Sequence, residues 1–518
     1  MKVLTAAQMR EVDRRTISVD GGEGGDGGAG IPGIVLMENA GHRVMEFVAR
    51  RFAPLSGQRV VVLCGKGNNG GDGMVIARQL HTRACPLELH VVLLAPPEEL
   101  KGDAAANYRM LLACGCPVQR EIPAEARRAS LVIDALLGTG VSGPASGLML
   151  EGIRAINHEF PLAKVVAVDM PSGMASDSGV SEGEMARADY TVTFTAPKVA
   201  QVSPPNCDRV GELVVCAIGS PASLYEDVWL SLVEPAMFRD LLAPRARAGH
   251  KGTYGHALVI AGSRGKSGAA AMAGMAALRA GAGLVTVASA ASAIAEISMH
   301  AAELMTEPLR ETESGVIALN ADLEAAAEGK TVIAIGPGLG RAPHIAALVR
   351  SLTDALVQPM ILDADALLPP SALGPARTRI LTPHPGEMAR LTGKTTSQVQ
   401  ADRIGIARGF AMQYAVTLVL KGQRTVIAFP DGRVWINPTG TPAMGTGGTG
   451  DILTGLIAGF VAQFPERPDQ AVAAAVYLHG RAGEIGAAAN GEQYLIATDI
   501  LQYLPDAMEE CGDVPHPV

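Results

Sequence analysis

GTGGTGDILTGLIAG, residues 445–459, decides how the second half of this chain is read. Four glycines precede its one acid, Asp451, and an apolar run follows at once. Glycines let the backbone take positive φ and approach a ligand closely, which leaves N–H groups free to converge on an anion. Ile452, Leu453, Leu456, Ile457, Phe460 and Val461 recur at spacings of three and four, so the spacing predicts a helix starting here. A helix N-terminus in a glycine-rich loop is a ready phosphate site, because its unsatisfied N–H groups and its dipole both favour negative charge. Asp451 is then a carboxylate beside a phosphate, placed to take a proton from a hydroxyl. The plainer alternative is a loop whose aspartate caps the helix.

The chain has 518 residues, which at about 150 residues per domain allows two or three domains. Its 48% hydrophobic, 18% charged and 4% aromatic content describes an Ala/Gly-rich globular protein. A net charge of −9 argues against nucleic acid or an anionic membrane as the main partner, without forbidding a local phosphate site made of backbone N–H groups. The 7 cysteines include no CxxC pair, and Cys114-Gly115-Cys116 has the wrong spacing for common zinc or thioredoxin patterns. They read as reduced thiols, so a cytoplasmic location is expected. MKVLTAAQMREVDRR lacks the apolar region of a signal peptide. No stretch reaches roughly 18 uninterrupted apolar residues, so no membrane span is expected.

In the first half, TAAQMREVDRRTI (5–17) predicts a helix capped by Thr5, and a second, amphipathic helix is expected from about Ile34. Between them GGEGGDGGAG (21–30) reads as a flexible insert; a phosphate loop is the alternative, but no strand precedes it. RVVVLC (59–64) reads as a buried strand that runs into GKGNNGGDG (65–73) and then a helix, MVIARQLH. Strand, glycine-rich turn, helix is the geometry that sets polar ligand groups at the carboxyl edge of a parallel sheet. The spacing matches neither a P-loop nor GxGxxG in good register. Further strands are expected at 88–94, 131–134, 164–169 and 190–194. Two of them end in an acid and a glycine-bearing loop, Asp134-ALLGTGVSGP and Asp169-MPSG. Either acid alone could be a simple cap, whereas three such loops on one sheet point to a ligand crevice.

NNGGDG, DALLGTGVSGP and VDMPSG, following an opening helix and LMENAG, resemble the NAD(P)H-hydrate epimerase domain over about residues 1–220. The resemblance implies that Asn68, Asn69, Gly70, Gly71 and Asp72 line the site for a hydrated nicotinamide nucleotide. It implies the same for Gly138, Thr139, Gly140, Val141, Ser142, Gly143 and Pro144. It also implies that Asp169 touches substrate and that Asn69, Asp134 and Ser172 help bind K+, a hard monovalent cation suited to oxygen donors of low total charge. Asp169 is the expected acid/base, since moving a C6 hydroxyl between ring faces needs proton transfer at oxygen or ring nitrogen. The insert at 21–30 departs from the plain helix-to-helix connection of this family.

Regular strands lapse from about Ser220 to Gly252, and a domain boundary is expected near 225–240. A new α/β series starts at HALVIAG (256–262); GSRGKSG after it fails the Walker A spacing and reads as a glycine-rich turn into a small-residue helix from Gly268. Strands are expected in TVIAIG, PMILDADAL and RILTPHPGEMARL, followed by a hairpin-rich run at 416–437. His384, between two prolines, is either a surface group or a site residue; KGQRT (421–425) is either an exposed turn or a pair of cations for a ligand. Alternating strands and Ala-rich helices imply a mainly parallel sheet covered on both faces.

KGTYG, AGSRGKSGAA, GPGLG, DADAL, TPHPGE, LVLKG and GTGGTGD together resemble ADP-dependent NAD(P)H-hydrate dehydratase, a ribokinase-like family, over about 235–505. The resemblance implies substrate contacts from Ala269, Gly338, His384 and Asp451, with Asp451 as catalytic base. It implies nucleotide contacts from Lys421, Gly422, Gln423, Arg424, Thr425 and Gly450. The expected architecture is therefore α/β throughout: a Rossmann-like doubly wound domain at 1–225 and a ribokinase-like domain at 235–510. The expected function is repair of hydrated NADH or NADPH, by epimerisation at C6 and then dehydration of the S form with ADP or ATP and Mg2+. A homo-oligomer is expected, with no nucleic-acid or membrane partner. The rival is a ribokinase-type kinase for a vitamin alcohol, with a non-catalytic N-terminal binding domain.

Overall fold

RVVVLC folds as a strand whose residues alternate between two cores. Val60, Val62 and Cys64 join one hydrophobic cluster, and Val61 and Leu63 join another on the opposite face. A strand buried on both faces needs apolar residues at every position, which is why it reads as a continuous run. The computed structural model describes residues 1–18, 28–140, 143–368 and 378–512. Most of the insert at 21–30, together with Val141 and Ser142, lies outside them. The chain divides into two units, Met1–Leu230 and Ser231–Val518.

The first unit holds β1 (Arg59–Cys64), β2 (Glu88–Leu93), β3 (Val118–Gln119), β4 (Leu131–Ala135), β5 (Lys164–Val168), β6 (Tyr190–Phe194) and β7 (Glu212–Cys216). Their order is β3-β2-β1-β4-β5-β6-β7, and every pairing is parallel. The direction of winding reverses between β1 and β4, so a crevice opens outside their carboxyl ends. Thr5 caps the helix Ala6–Ile17 through a reciprocal box with Gln8. The expected glycine-rich turn at 65–73 is shorter than its composition suggests, because a helix already starts at Asn68 and runs to Gln79. Gly70, Gly71 and Gly73 lie inside that helix because there is no room for more: a Cβ on Gly70 would fall 1.9 Å from Gly65 O.

The second unit carries a ten-stranded sheet. Its strands are β8 (Leu230–Leu232), β9 (His256–Ile260), β10 (Leu284–Ala290), β11 (Met305–Leu309), β12 (Val332–Ile335), β13 (Met360–Leu362), β14 (Arg379–Leu381), β15 (Thr417–Leu420), β16 (Val426–Ala428) and β17 (Val434–Ile436). The order is β11-β10-β9-β12-β13-β14-β15-β16-β17-β8. The run from β11 to β15 pairs in parallel, and β15, β16 and β17 form antiparallel hairpins. The helix read from 445–459 spans Thr449–Gln463 and packs on the helix Ser267–Arg279. Gly455 and Gly459 set that approach, since Cβ atoms there would fall 2.1 Å from Ala273 O and 2.5 Å from Ala277 O.

Candidate active sites

At the carboxyl edge of the first sheet lies a cavity of ≈ 750 Å³. Asn68, Asn69, Asp72, Gly138, Thr139, Gly140 and Asp169 line it. Gly70 and Gly71 do not; a Cβ on Gly71 would press on Met37 Sδ at 2.6 Å, so these two shape the helix start rather than the wall. Gly143 and Pro144 are exposed beside the cavity loop and are not among its lining residues.

Asp169 follows β5 with φ 62, a left-handed conformation that costs a non-glycine residue about 1–3 kcal/mol. Its neighbours hold it there. Lys198 Nζ donates to Asp169 Oδ1 at 2.6 Å, Thr193 Oγ1 donates to the same oxygen at 3.0 Å, and Gln201 Nε2 donates to the Asp169 carbonyl at 2.6 Å. Lys198 is only 1% exposed and also donates to Thr193 Oγ1 and to the Phe194 carbonyl. Burial holds the Asp72 carboxyl well above the usual range, and Asp169 and Asp13 add to the effect. Lys198 and Asp13 were not legible as site residues. The only hint for Lys198 was a lone lysine in the small-residue run TAPKVA after a strand.

Asp134 and Ser172 pair with each other, and Asn69 lines the cavity. Ser172 Oγ donates to Asp134 Oδ1 at 2.5 Å and Ser172 N to Asp134 Oδ2 at 2.9 Å. Burial nevertheless pushes the Asp134 carboxyl up to about 6. Asn69 is buried, and neither its Oδ1 nor its Nδ2 has a hydrogen-bond partner among the described residues. An amide oxygen without a partner, a buried carboxylate and a hydroxyl are oxygen donors of the kind a monovalent cation takes. No cluster of three His, Cys, Asp or Glu with metal-holding geometry occurs among the described residues, so a transition-metal site is a poor match.

In the second unit the parallel strands deliver their site residues to one edge. Gly262 follows β9, Gly338 follows β12, Asp363 and Asp365 follow β13, His384 follows β14, and Lys421 follows β15. Gly338, at φ 66, meets Ala269: a Cβ on Gly338 would lie 3.1 Å from Ala269 Cβ. Gly340 N donates to Asp365 Oδ2 at 2.9 Å, tying two of these loops together. His384 caps the helix Pro385–Thr392, with Nδ1 accepting from Gly386 N at 3.0 Å and from Glu387 N at 3.4 Å. That bond leaves the ring proton on Nε2, which lies 3.4 Å from Glu387 Oε1.

Asp451 is not the helix cap. Gly448, at φ 95, takes that place, and Asp451 sits in the first turn. Ile452 N is the first to reach back, to Gly448 O at 3.0 Å, so the N–H groups of Thr449 to Asp451 have no carbonyl one turn earlier. Lys421 Nζ donates to Asp363 Oδ1 at 2.7 Å, and Thr454 Oγ1 donates to Asp363 Oδ2 at 2.8 Å. A Cβ on Gly450 would lie 3.3 Å from Lys421 Nζ, so Lys421, Gly450, Asp363 and Asp451 form one cluster. Burial, and then the charge of Asp363, push the Asp451 carboxyl up to about 7. Gly422 has φ 134 and lies against the buried Arg403 guanidinium. Arg424 donates to Pro438 O at 3.1 Å, and Thr425 Oγ1 donates to Gly422 O, so these two brace the loop that Gln423 tops.

Two parallel-sheet units, each with a lysine–aspartate pair at the carboxyl edge of its strands, define a two-part α/β enzyme. Residues 33–200 match the family described as YjeF-related protein N-terminus, and residues 257–506 match NAD(P)H-hydrate dehydratase. The chain is 42% identical to a bifunctional NAD(P)H-hydrate repair enzyme of Moorella thermoacetica, over 98% of this chain and 96% of that one. It is 37% identical to the Thermofilum pendens protein of the same name, again over 98% and 96%. A solved structure of a Bacillus subtilis ADP/ATP-dependent NAD(P)H-hydrate dehydratase, co-crystallised with ATP/Mg2+, is 36% identical; it covers 54% of this chain and 98% of its own, with a TM-score of 0.49. The chain belongs to the family of bifunctional NAD(P)H-hydrate repair enzymes. No helix among the described residues is long and apolar enough to cross a membrane.

Proposed function

We propose that the first unit interconverts the R and S forms of hydrated NADH or NADPH, and that the second dehydrates the S form with ADP or ATP. The observation that carries this reading is Asp451: a carboxyl with its proton affinity raised to about 7, in the first turn of a glycine-capped helix, beside Lys421. Deprotonated Asp451 takes the proton of the C6 hydroxyl as that oxygen attacks the terminal phosphorus of the nucleotide, whose bridging P–O bond breaks to release ADP from ATP or AMP from ADP. Lys421 and the free N–H groups of Thr449 to Asp451 stabilise charge on the transferring phosphoryl group. The C6–O bond then breaks, phosphate departs, the C5 proton is lost and the C5=C6 bond returns. Phosphate leaves far more readily than hydroxide, which explains a kinase-like site in a dehydratase. His384 Nε2 and the wall formed by Ala269 and Gly338 hold the substrate.

Asp363 and Asp365 each have protein partners on both carboxylate oxygens. They fit a magnesium ion carried in on the nucleotide's phosphate oxygens better than one in an all-protein cage. When bound it would neutralise charge on those oxygens. In the first unit Asn69, Asp134 and Ser172 would hold K+, whose charge would favour a ligand phosphate at the start of the helix Asn68–Gln79. Asp169, fixed by Lys198, moves a proton of the C6 oxygen. None of the seven cysteines is in a disulfide, as suits the cytoplasm, where we place the protein.

The test is to supply hydrated NADH with ADP or with ATP and follow the dihydronicotinamide absorbance. Its return supports the reading. A phosphorylated product that accumulates without it would identify a simple kinase. Fragments 1–230 and 231–518 are expected to retain epimerase and dehydratase activity respectively.

A further inference from the structure

We propose that Asp13, on the first helix of the chain, is a second proton-transfer residue of the epimerisation site, acting with Asp169 in one cavity. This rests on the epimerase reading of the first unit. Moving oxygen between the faces of C6 has no net chemistry, yet it uses two proton positions. The C6–O bond breaks as a proton is delivered to the departing oxygen, which leaves as water, while the N1 lone pair forms the N1=C6 iminium. Water adds to the opposite face, a new C6–O bond forms, the electron pair returns to N1, and a proton is given up. One proton is lent and one is recovered, on opposite sides of the ring.

Asp169 alone is poorly suited to both roles. Its Oδ1 accepts from Lys198 Nζ at 2.6 Å and from Thr193 Oγ1 at 3.0 Å, so the carboxyl is tethered to one side of the cavity and cannot follow the oxygen to the other face of the ring. Asp72 is buried, and burial with the charges of Asp169 and Asp13 holds its carboxyl well above the usual range. Asp13 is another carboxyl of the cavity. It occupies the helix Ala6–Ile17 with Met9 and Ile17 four residues to either side, and all three line the cavity. That spacing puts them on one helix face. The helix is anchored at its start by the Thr5–Gln8 box and by Asp177 Oδ1, which accepts from Ala6 N at 2.5 Å.

The Asp13 carboxyl forms no hydrogen bond or ion pair within contact distance among the described residues, so its proton is free to move. Burial pushes it up to about 6; Lys198 opposes that rise and Asp169 adds to it. Arg10, on its own helix, and the Lys66–Glu99 pair also line the cavity; that pair is closed on itself at 2.8 Å. Two carboxyls in unlike surroundings, one tied to a lysine and one without a hydrogen-bond partner among the described residues, suit two proton roles in one site.

The test measures R-to-S exchange by the full chain from pH 5 to 8, with dehydration of pure S hydrate as a control on folding. The parent is expected to lose rate as pH rises through about 6, because the lending form of Asp13 is the protonated one. Asp13→Asn should slow exchange by about 10²-fold and abolish that limb. Asp13→Glu should restore most of the rate and the limb with it. Exchange at the parent rate in Asp13→Asn, or a slowed rate with the limb intact, overturns the proposal. Asp169→Asn is run beside it. If that variant also exchanges normally, the epimerase reading of the site falls; if it alone is dead, only the role of Asp13 falls.

Discussion

The two units carry the same ion pair turned in opposite senses. In the first, Lys198 is the buried member at 1% exposed and Asp169, at 14%, is the more open one, and both line the cavity. In the second, Asp363 is the buried member at 2%, and Lys421, at 19%, is the more open one. The nitrogen–oxygen distances are 2.6 and 2.7 Å. Such a pair is weak evidence for stability, because desolvation offsets most of the attraction. What differs is the more open member: a carboxylate, fit to move a proton, in the first unit and an ammonium, fit to hold a phosphate, in the second.

Substitutions can break that contrast. The largest effect is expected from Asp451→Asn, which should lower dehydration of pure S hydrate by about 10²–10⁴-fold in an absorbance assay. Nucleotide binding, followed by calorimetry, should persist, because the N–H groups at the helix start remain. Asp169→Asn should slow R-to-S exchange by about 10²-fold or more while dehydration of S hydrate is untouched. Unchanged exchange would pass the role to another carboxyl of the cavity.

A pH profile sharpens the second site. The base role proposed for Asp451 requires the deprotonated form, and burial and Asp363 raise its proton affinity to about 7. The kcat/KM of dehydration should therefore fall below about pH 7 and level off above it. Asp363→Asn removes a charge that opposes ionisation of Asp451, so the limb should move to lower pH. A limb that stays in place would uncouple the two aspartates. The smallest effect is structural: Gly455→Ala forces a methyl group onto Ala273 O and should cost the second unit about 1–3 kcal/mol in thermal melts, with kcat little changed.

Much of this was legible because local chemistry carried it. The glycine-rich start and apolar period at 445–459 predict the helix and the place of Asp451, and RVVVLC predicts a doubly buried strand. The missed strands have physical reasons. β3 is two residues long, β11 (MTEPL) contains a proline and an acid, and β10 (LVTVASA) ends in small residues that pack as readily in helices. The glycines of NNGGDG read as a turn, whereas three of them, at 70, 71 and 73, are inside a helix because neighbouring backbone and side chains leave no room for a Cβ. Lys198 and Asp363 escaped for a different reason. Each acquires its role from a partner 29 or 58 residues away, and no local period records such a pairing.

The most direct test of two chemically separate sites is one chromatographic time course. Mixed R and S hydrates are given ADP and the Asp451→Asn protein, and both epimers and NADH are followed together. The expected result is rapid equilibration of R with S and almost no NADH. NADH forming at near the parent rate, or R and S failing to exchange, would contradict it.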